Sequence, residues 1–209
     1  MGGKIWTLIS YIFHPALMPT LGVFIVLSCD PYLYIPIDTP QPWIIVLSIV
    51  FACTFLMPSL LSVLLLKIGK VLSLTNPTEN DRKTLLAFTS LCFMLCYYTF
   101  HNIPPSGQSL SRFMLGINIS IITTLITSMF TKVSLHSVGA GGILGTVIGL
   151  MHYANFNYFP WLATVAIMAV IIPLARYKLK AHQAFDLYIG LGIGILSQSL
   201  VFFYGGYRI

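Results

Sequence analysis

"WLATVAIMAVIIPLARYKLKAHQAFDLYIGLGIGILSQSLVF", from Trp161 to Phe202, is two apolar stretches with a polar knot between them. Each stretch approaches the about 20 residues a helix needs to cross a bilayer core. The knot puts Arg176, Lys178, Lys180, His182 and Asp186 within one short segment. That pattern reads as two membrane spans joined by a charged turn.

The rest of the chain follows the same plan. Of its 209 residues 57% are hydrophobic and 8% charged, against roughly 25% charged in ordinary soluble domains. This is the composition of an integral membrane protein. Apolar runs at 5–29, 43–66, 84–100, 113–131, 137–153, 158–175 and 184–204 are the candidate spans, separated by polar or Pro/Gly-bearing breaks. The expected fold is therefore all-α, a polytopic transmembrane bundle of six to seven spans forming one domain over 1–209. The first run carries Pro15 and Pro19, which could make it re-entrant rather than a through span. Cys29, Cys53, Cys92 and Cys96 sit in apolar segments without paired loop spacing, so they are expected to be small buried hydrophobes.

Spans alternate direction, so alternate loops share a membrane face. Lys4, Lys67, Lys70, Arg82, Lys83, Lys132, Arg176, Lys178 and Lys180 fall on one face, and Arg112 and Arg208 on the other. The positive-inside rule makes the basic face cytoplasmic, unless those charges serve an anionic ligand. No run of cations is long enough to track a nucleic-acid backbone, so nucleic acid is excluded as a partner. A membrane lipid with a phosphate headgroup fits the distribution better.

Two small-residue ladders occur, Gly141, Gly145 and Gly149 in one span and Gly190 and Gly194 in the last. Glycines four apart let helix backbones approach closely in lipid. Continued backwards in steps of four, the second ladder meets Asp186 and His182, one face of one helix. A carboxylate one turn from an imidazole can hold one ring nitrogen and leave the other free.

Arg176, His182 and Asp186 have the spacing R-x5-H-x3-D, and "KVSLH" places Lys132, Ser134 and His136 directly before the fifth run. Here the chain resembles the type 2 phosphatidic acid phosphatase superfamily. Its third motif has this R-x5-H-x3-D spacing, and its P-S-G-H second motif is matched at Ser134 and His136. The first motif, a lysine followed seven residues later by Arg-Pro, is absent; Arg82 and Lys83 in "TENDRKTLL" stand in its place. The resemblance implies a metal-independent lipid phosphatase in which His182 is the nucleophile, Asp186 its orienting carboxylate and His136 the general acid. Arg176, Lys132, Ser134, Arg82 and Lys83 would bind the phosphate.

Two further readings are weighed. "PPSGQSLSR" at 104–112 has Gln108 where the second motif needs histidine, and loop parity puts it on the opposite face; it is rejected. H-x3-D could hold one metal ion, with only Glu79 and Asp81 nearby to complete a site, and the cation excess opposes a divalent metal. No metal and no cofactor are expected. Lys178 and Lys180 read as snorkelling anchors, and His14, His101 and His152 as interfacial residues without sequence partners.

Overall fold

The computed structural model describes residues 2–29, 40–74, 77–102, 108–153 and 158–204. Among these, all regular structure is helical: α1 (Gly2–Ile12), α2 (Met18–Cys29), α3 (Pro40–Phe51), α4 (Met57–Lys67), α5 (Glu79–His101), α6 (Gln108–Thr127), α7 (Leu135–Tyr153), α8 (Phe159–Lys178) and α9 (Ala184–Phe203). Six continuous helices are long and apolar enough to cross a membrane: Trp43–Lys67, Glu79–His101, Gln108–Thr127, Leu135–His152, Phe159–Lys178 and Ala184–Phe203. The protein is an all-α, multi-pass membrane bundle.

The apolar run at 5–29 is not one span. It breaks into α1 and α2 around His14 and Pro15, because proline disfavours helical backbone in the residue before it and cannot donate to the turn it follows. The break is closed by Leu17 N–H on the His14 carbonyl (2.9 Å) and Met18 N–H on the Pro15 carbonyl (3.3 Å). At about 1.5 Å per residue α2 is roughly 18 Å long, short of the about 30 Å hydrocarbon thickness. The loops between the six long helices still alternate, so Lys67, Lys70, Arg82, Lys83, Lys132, Arg176, Lys178 and Lys180 keep one face, while Lys4 is no longer placed by that alternation.

Prolines also shape the third and fourth helices, which form one rod with a wider turn at Ala52–Leu56. Pro58 has no N–H for the Thr54 carbonyl, and the ladder there relaxes so that Met57 N–H reaches back to Ala52. A π-type turn is a common outcome of such a lost bond, and such turns often lie beside functional sites.

The most extensive helix pair is α7 with α9, and the glycine ladders are its cause. A Cβ on Gly141 would strike the Leu191 carbonyl oxygen, one on Gly194 the Val138 carbonyl oxygen, and one on Gly190 would lie 2.8 Å from the Ser134 carbonyl oxygen. Main chain therefore packs against main chain. Ser199 Oγ donates across the seam to the Gly145 carbonyl (3.2 Å), and Ser134 N–H to the Asp186 carbonyl (3.4 Å). The four cysteines are buried and form no disulfide.

The turn from α8 to α9 closes in a Schellman motif. Ala181 N–H reaches the Arg176 carbonyl (3.1 Å) and Lys180 N–H the Tyr177 carbonyl (2.9 Å), with Lys180 at φ 55°. The same closure after α4, with Lys70 on Leu65 and Gly69 on Leu66, uses Gly69 at φ 72°. Glycine adopts this left-handed conformation without strain, whereas an L side chain costs about 1–2 kcal/mol. Lys180→Gly should therefore raise stability by about 1 kcal/mol, read as a higher thermal midpoint in detergent with unchanged helicity.

Candidate functional site

The Schellman turn folds the charged segment back on itself, and α9 begins at once with a capping box. Gln183 N–H donates to Asp186 Oδ2 (3.2 Å), while the Gln183 side chain accepts from the Asp186 N–H. Asp186 is buried by this arrangement. Its Oδ2 also lies 3.4 Å from His182 Nδ1, longer than the about 2.7–2.9 Å of a well-formed charge-assisted bond. Asp186 thus both starts the helix and faces the imidazole, whose Nε2 it leaves free.

His136 is one residue into α7. Its Nε2 donates to the Ser10 carbonyl at 3.2 Å, so Nδ1 is the ring atom left for other work. The ring meets that of His14 edge to face, centroids 6.1 Å apart. His14 Nδ1 accepts from the Ala16 N–H (3.3 Å), which puts the proton of neutral His14 on Nε2. The N-terminal segment therefore folds over the end of α7 through two separate histidine contacts.

Arg82 stands one turn into α5. Thr78 and Asp81 form a capping box there, with Thr78 N–H on Asp81 Oδ2 at 2.9 Å and Asp81 N–H on Thr78 Oγ1 at 3.2 Å. Asp81 Oδ1 also accepts the Leu72 N–H (3.0 Å), tethering the preceding loop to the helix start. Arg82 Nη2 then crosses to the Val133 carbonyl (3.3 Å), immediately before "SLH".

His14, Arg82, His136, Arg176 and His182 all line one cavity of about 480 Å³. The two histidines of the proposed chemistry open onto the same space. Arg176 Nε is buried there without a hydrogen-bond partner, an unmet donor of a kind that invites an anion. Burial pushes His182 below its ordinary value, with Arg176 and Arg82 adding to the shift while Asp186 opposes it. Burial, then Arg176, lowers His14 in the same way. Neutral imidazoles beside fixed guanidinium charge can accept an electron-poor centre and hold an oxyanion at once.

Three expected binding residues do not line the cavity. Lys83 pairs with Glu79 on its own helix (2.7 Å), because successive helical residues point about 100° apart and i, i+4 residues meet. Lys132 is exposed at the surface. Ser134 is fully buried under the α7–α9 crossing, beside Gly190, and its hydroxyl has no partner. His14, read as interfacial, instead belongs to the cluster. The signal for it was a His-Pro pair interrupting an apolar run on the same face as the other cations. Glu79 and Asp81 are engaged as described, and among the described residues no group of three or more His, Cys, Asp or Glu could hold a metal ion. Pro104 to Gly107 of the rejected "PPSGQ" stretch and Arg208 lie outside the described residues.

No family model matches the chain. No curated protein and no solved structure matches it either. The functional reading rests on the residues themselves.

The separation of Arg82 from Lys83 gives a direct check. On the expectation that the chain hydrolyses a lipid phosphate, Arg82→Ala should lower kcat/KM by roughly 10²–10³-fold, the loss of one charged oxyanion contact. Lys83→Ala should leave it within about twofold, since an exposed i, i+4 ion pair contributes only about 0.3–0.5 kcal/mol to stability. Initial-rate phosphate release from the two purified variants reads both.

Proposed function

We propose that the protein is a membrane phosphatase that hydrolyses a lipid phosphate or diphosphate through a phosphohistidine, as its resemblance to the type 2 phosphatidic acid phosphatases implies. The observation that carries this reading is the convergence of His136, His182, Arg82 and Arg176 on one cavity. In it, the phosphate oxygens sit between the two guanidinium groups. His182 Nε2 attacks phosphorus and the bond to the lipid oxygen breaks, with His136 entering this step as the imidazolium, its Nε2–H kept on the Ser10 carbonyl, so that its second proton passes from Nδ1 to the leaving oxygen. Water, losing its proton back to His136, then attacks phosphorus; the P–N bond breaks and inorganic phosphate leaves. Asp186 Oδ2, 3.4 Å from Nδ1 of His182, closes on that nitrogen in the reaction and supports the charge that develops on the ring. No metal or cofactor takes part in these steps.

A second reading has one observation in its favour. Lys132 and Ser134 lie away from the cavity, so the second-motif likeness reduces to His136 alone, as in a protein that binds lipid phosphate without cleaving it. Trapping decides between them. Rapid acid-free quenching of the wild-type protein with a labelled lipid phosphate should give a phosphoenzyme that is stable to base, labile to acid and absent from His182→Asn. Tight lipid binding with neither phosphoenzyme nor released phosphate would establish the non-catalytic binder.

A further inference from the structure

The cavity does not end at its polar cluster. From Arg82 it continues along α5 past Leu85 and Leu86 to Phe93, and across to Ile117 and Ile121 of α6. Arg82 to Phe93 is eleven residues of helix, about 16 Å at 1.5 Å per residue. That depth is roughly half the hydrocarbon thickness of a bilayer.

Four hydroxyls along this depth are already used, while Ser59 and Gln198 also line it, Gln198 with Nε2 on the Phe113 carbonyl (3.1 Å) and Oε1 without a partner. Thr54 donates to the Val50 carbonyl (2.8 Å), Ser62 to Pro58 (2.6 Å), Thr89 to Leu85 (2.7 Å) and Ser120 to Gly116 (2.9 Å), each within its own helix or rod. A hydroxyl bonded back to a carbonyl one turn earlier has no proton to offer a ligand. These four groups therefore present methyl and methylene faces, and the wall they share with leucine, isoleucine and phenylalanine is hydrocarbon in character. The wide turn at Ala52–Leu56 borders the same space through Thr54 and Pro58.

We propose that this depth encloses the hydrocarbon tail of the substrate inside the bundle, so that the protein selects lipid phosphates with a single chain. The inference rests on the phosphate reading of the polar end. Its grounds are the continuity of the two parts, the guanidinium charge at one end only, and the size. A volume of about 480 Å³ lies within the roughly 300–1,000 Å³ of sites that enclose one small ligand. We take that scale to match one tail rather than two.

The test uses the full-length protein in detergent and a single-chain alkyl phosphate carrying a diazirine near the middle of its tail. Illumination should label the inward residues of α5 and α6 around Thr89, Phe93 and Ile117. A single-chain lysolipid phosphate should suppress the labelling at roughly tenfold lower concentration than two-chain phosphatidic acid, a discrimination within reach of an enclosed apolar site. In Thr89→Phe, the ratio of kcat/KM for a long-chain over a short-chain alkyl phosphate should fall by about tenfold. Labelling on the outward residues Leu91, Leu95 and Ile122, or equal competition by the two-chain lipid, would overturn the proposal. Labelling needs no turnover, so inward labelling without phosphate release would sustain the tail site and reject the phosphatase. Phosphate release with outward labelling would do the reverse.

Discussion

His182→Ala is expected to lower phosphate release from a lipid phosphate by roughly 10³-fold or more, as removal of a nucleophile does elsewhere. The variant keeps its fold, because His182 precedes α9 and makes none of the main-chain bonds of the turn; circular dichroism and the thermal midpoint should match wild type. The pH profile carries the mechanistic part. Attack requires the free base, so activity is lost as pH falls through the His182 value. Burial lowers that value from 6.5, which puts the acid limb of kcat/KM below pH 6.5. Asp186→Asn keeps an acceptor for the capping box but removes the charge that raises the histidine. Its acid limb should move further toward low pH while the plateau rate drops. A limb that moves upward, or does not move, would show that Asp186 serves the helix start and not the imidazole.

The second large effect is structural. Gly194→Ala should destabilise the protein by about 1–3 kcal/mol or abolish folding, whereas Gly192→Ala, the same change two residues away, should be neutral or stabilising by up to about 1 kcal/mol. A Cβ at Gly194 meets the Val138 carbonyl oxygen and the Gly142 amide nitrogen, while one at Gly192 has nothing within 4 Å. Backbone atoms cannot turn aside as the end of a flexible side chain can. Expression level, monodispersity in detergent and thermal unfolding of the two variants give the comparison. Equal behaviour would mean that α7 and α9 are not held in main-chain contact.

Much of this architecture is legible in the sequence because the bilayer imposes a length rule, and the later apolar runs obey it. The first run fails the rule for a reason that counting apolar residues does not capture. His14-Pro15 stops the helix locally, whatever the hydropathy around it. Within the site, Arg176 and His182 are legible from their spacing across a short turn, and His136 from its position at a helix start on the same face. Lys83 and Ser134 fall outside the cavity because proximity in sequence does not fix direction. Lys83 is adjacent to Arg82 and points elsewhere, and its spacing from Glu79 already offered another partner. Ser134 is two positions from His136, and residues two apart at a helix start do not face each other. The His-Pro break marks His14 in the sequence but not its partner, since its ring meets that of His136 far along the chain.

The direct main-chain seam of α7 on α9 also bears on how a lipid reaches the reacting atoms. The α7 helix carrying His136 and the α9 helix that His182 precedes meet main chain to main chain at the glycine crossings, with no layer of side chains there to slide or repack. In the proposed reaction, room for a headgroup would then open on the side where Pro15 parts α1 from α2 and Pro58 follows the wide turn of the rod.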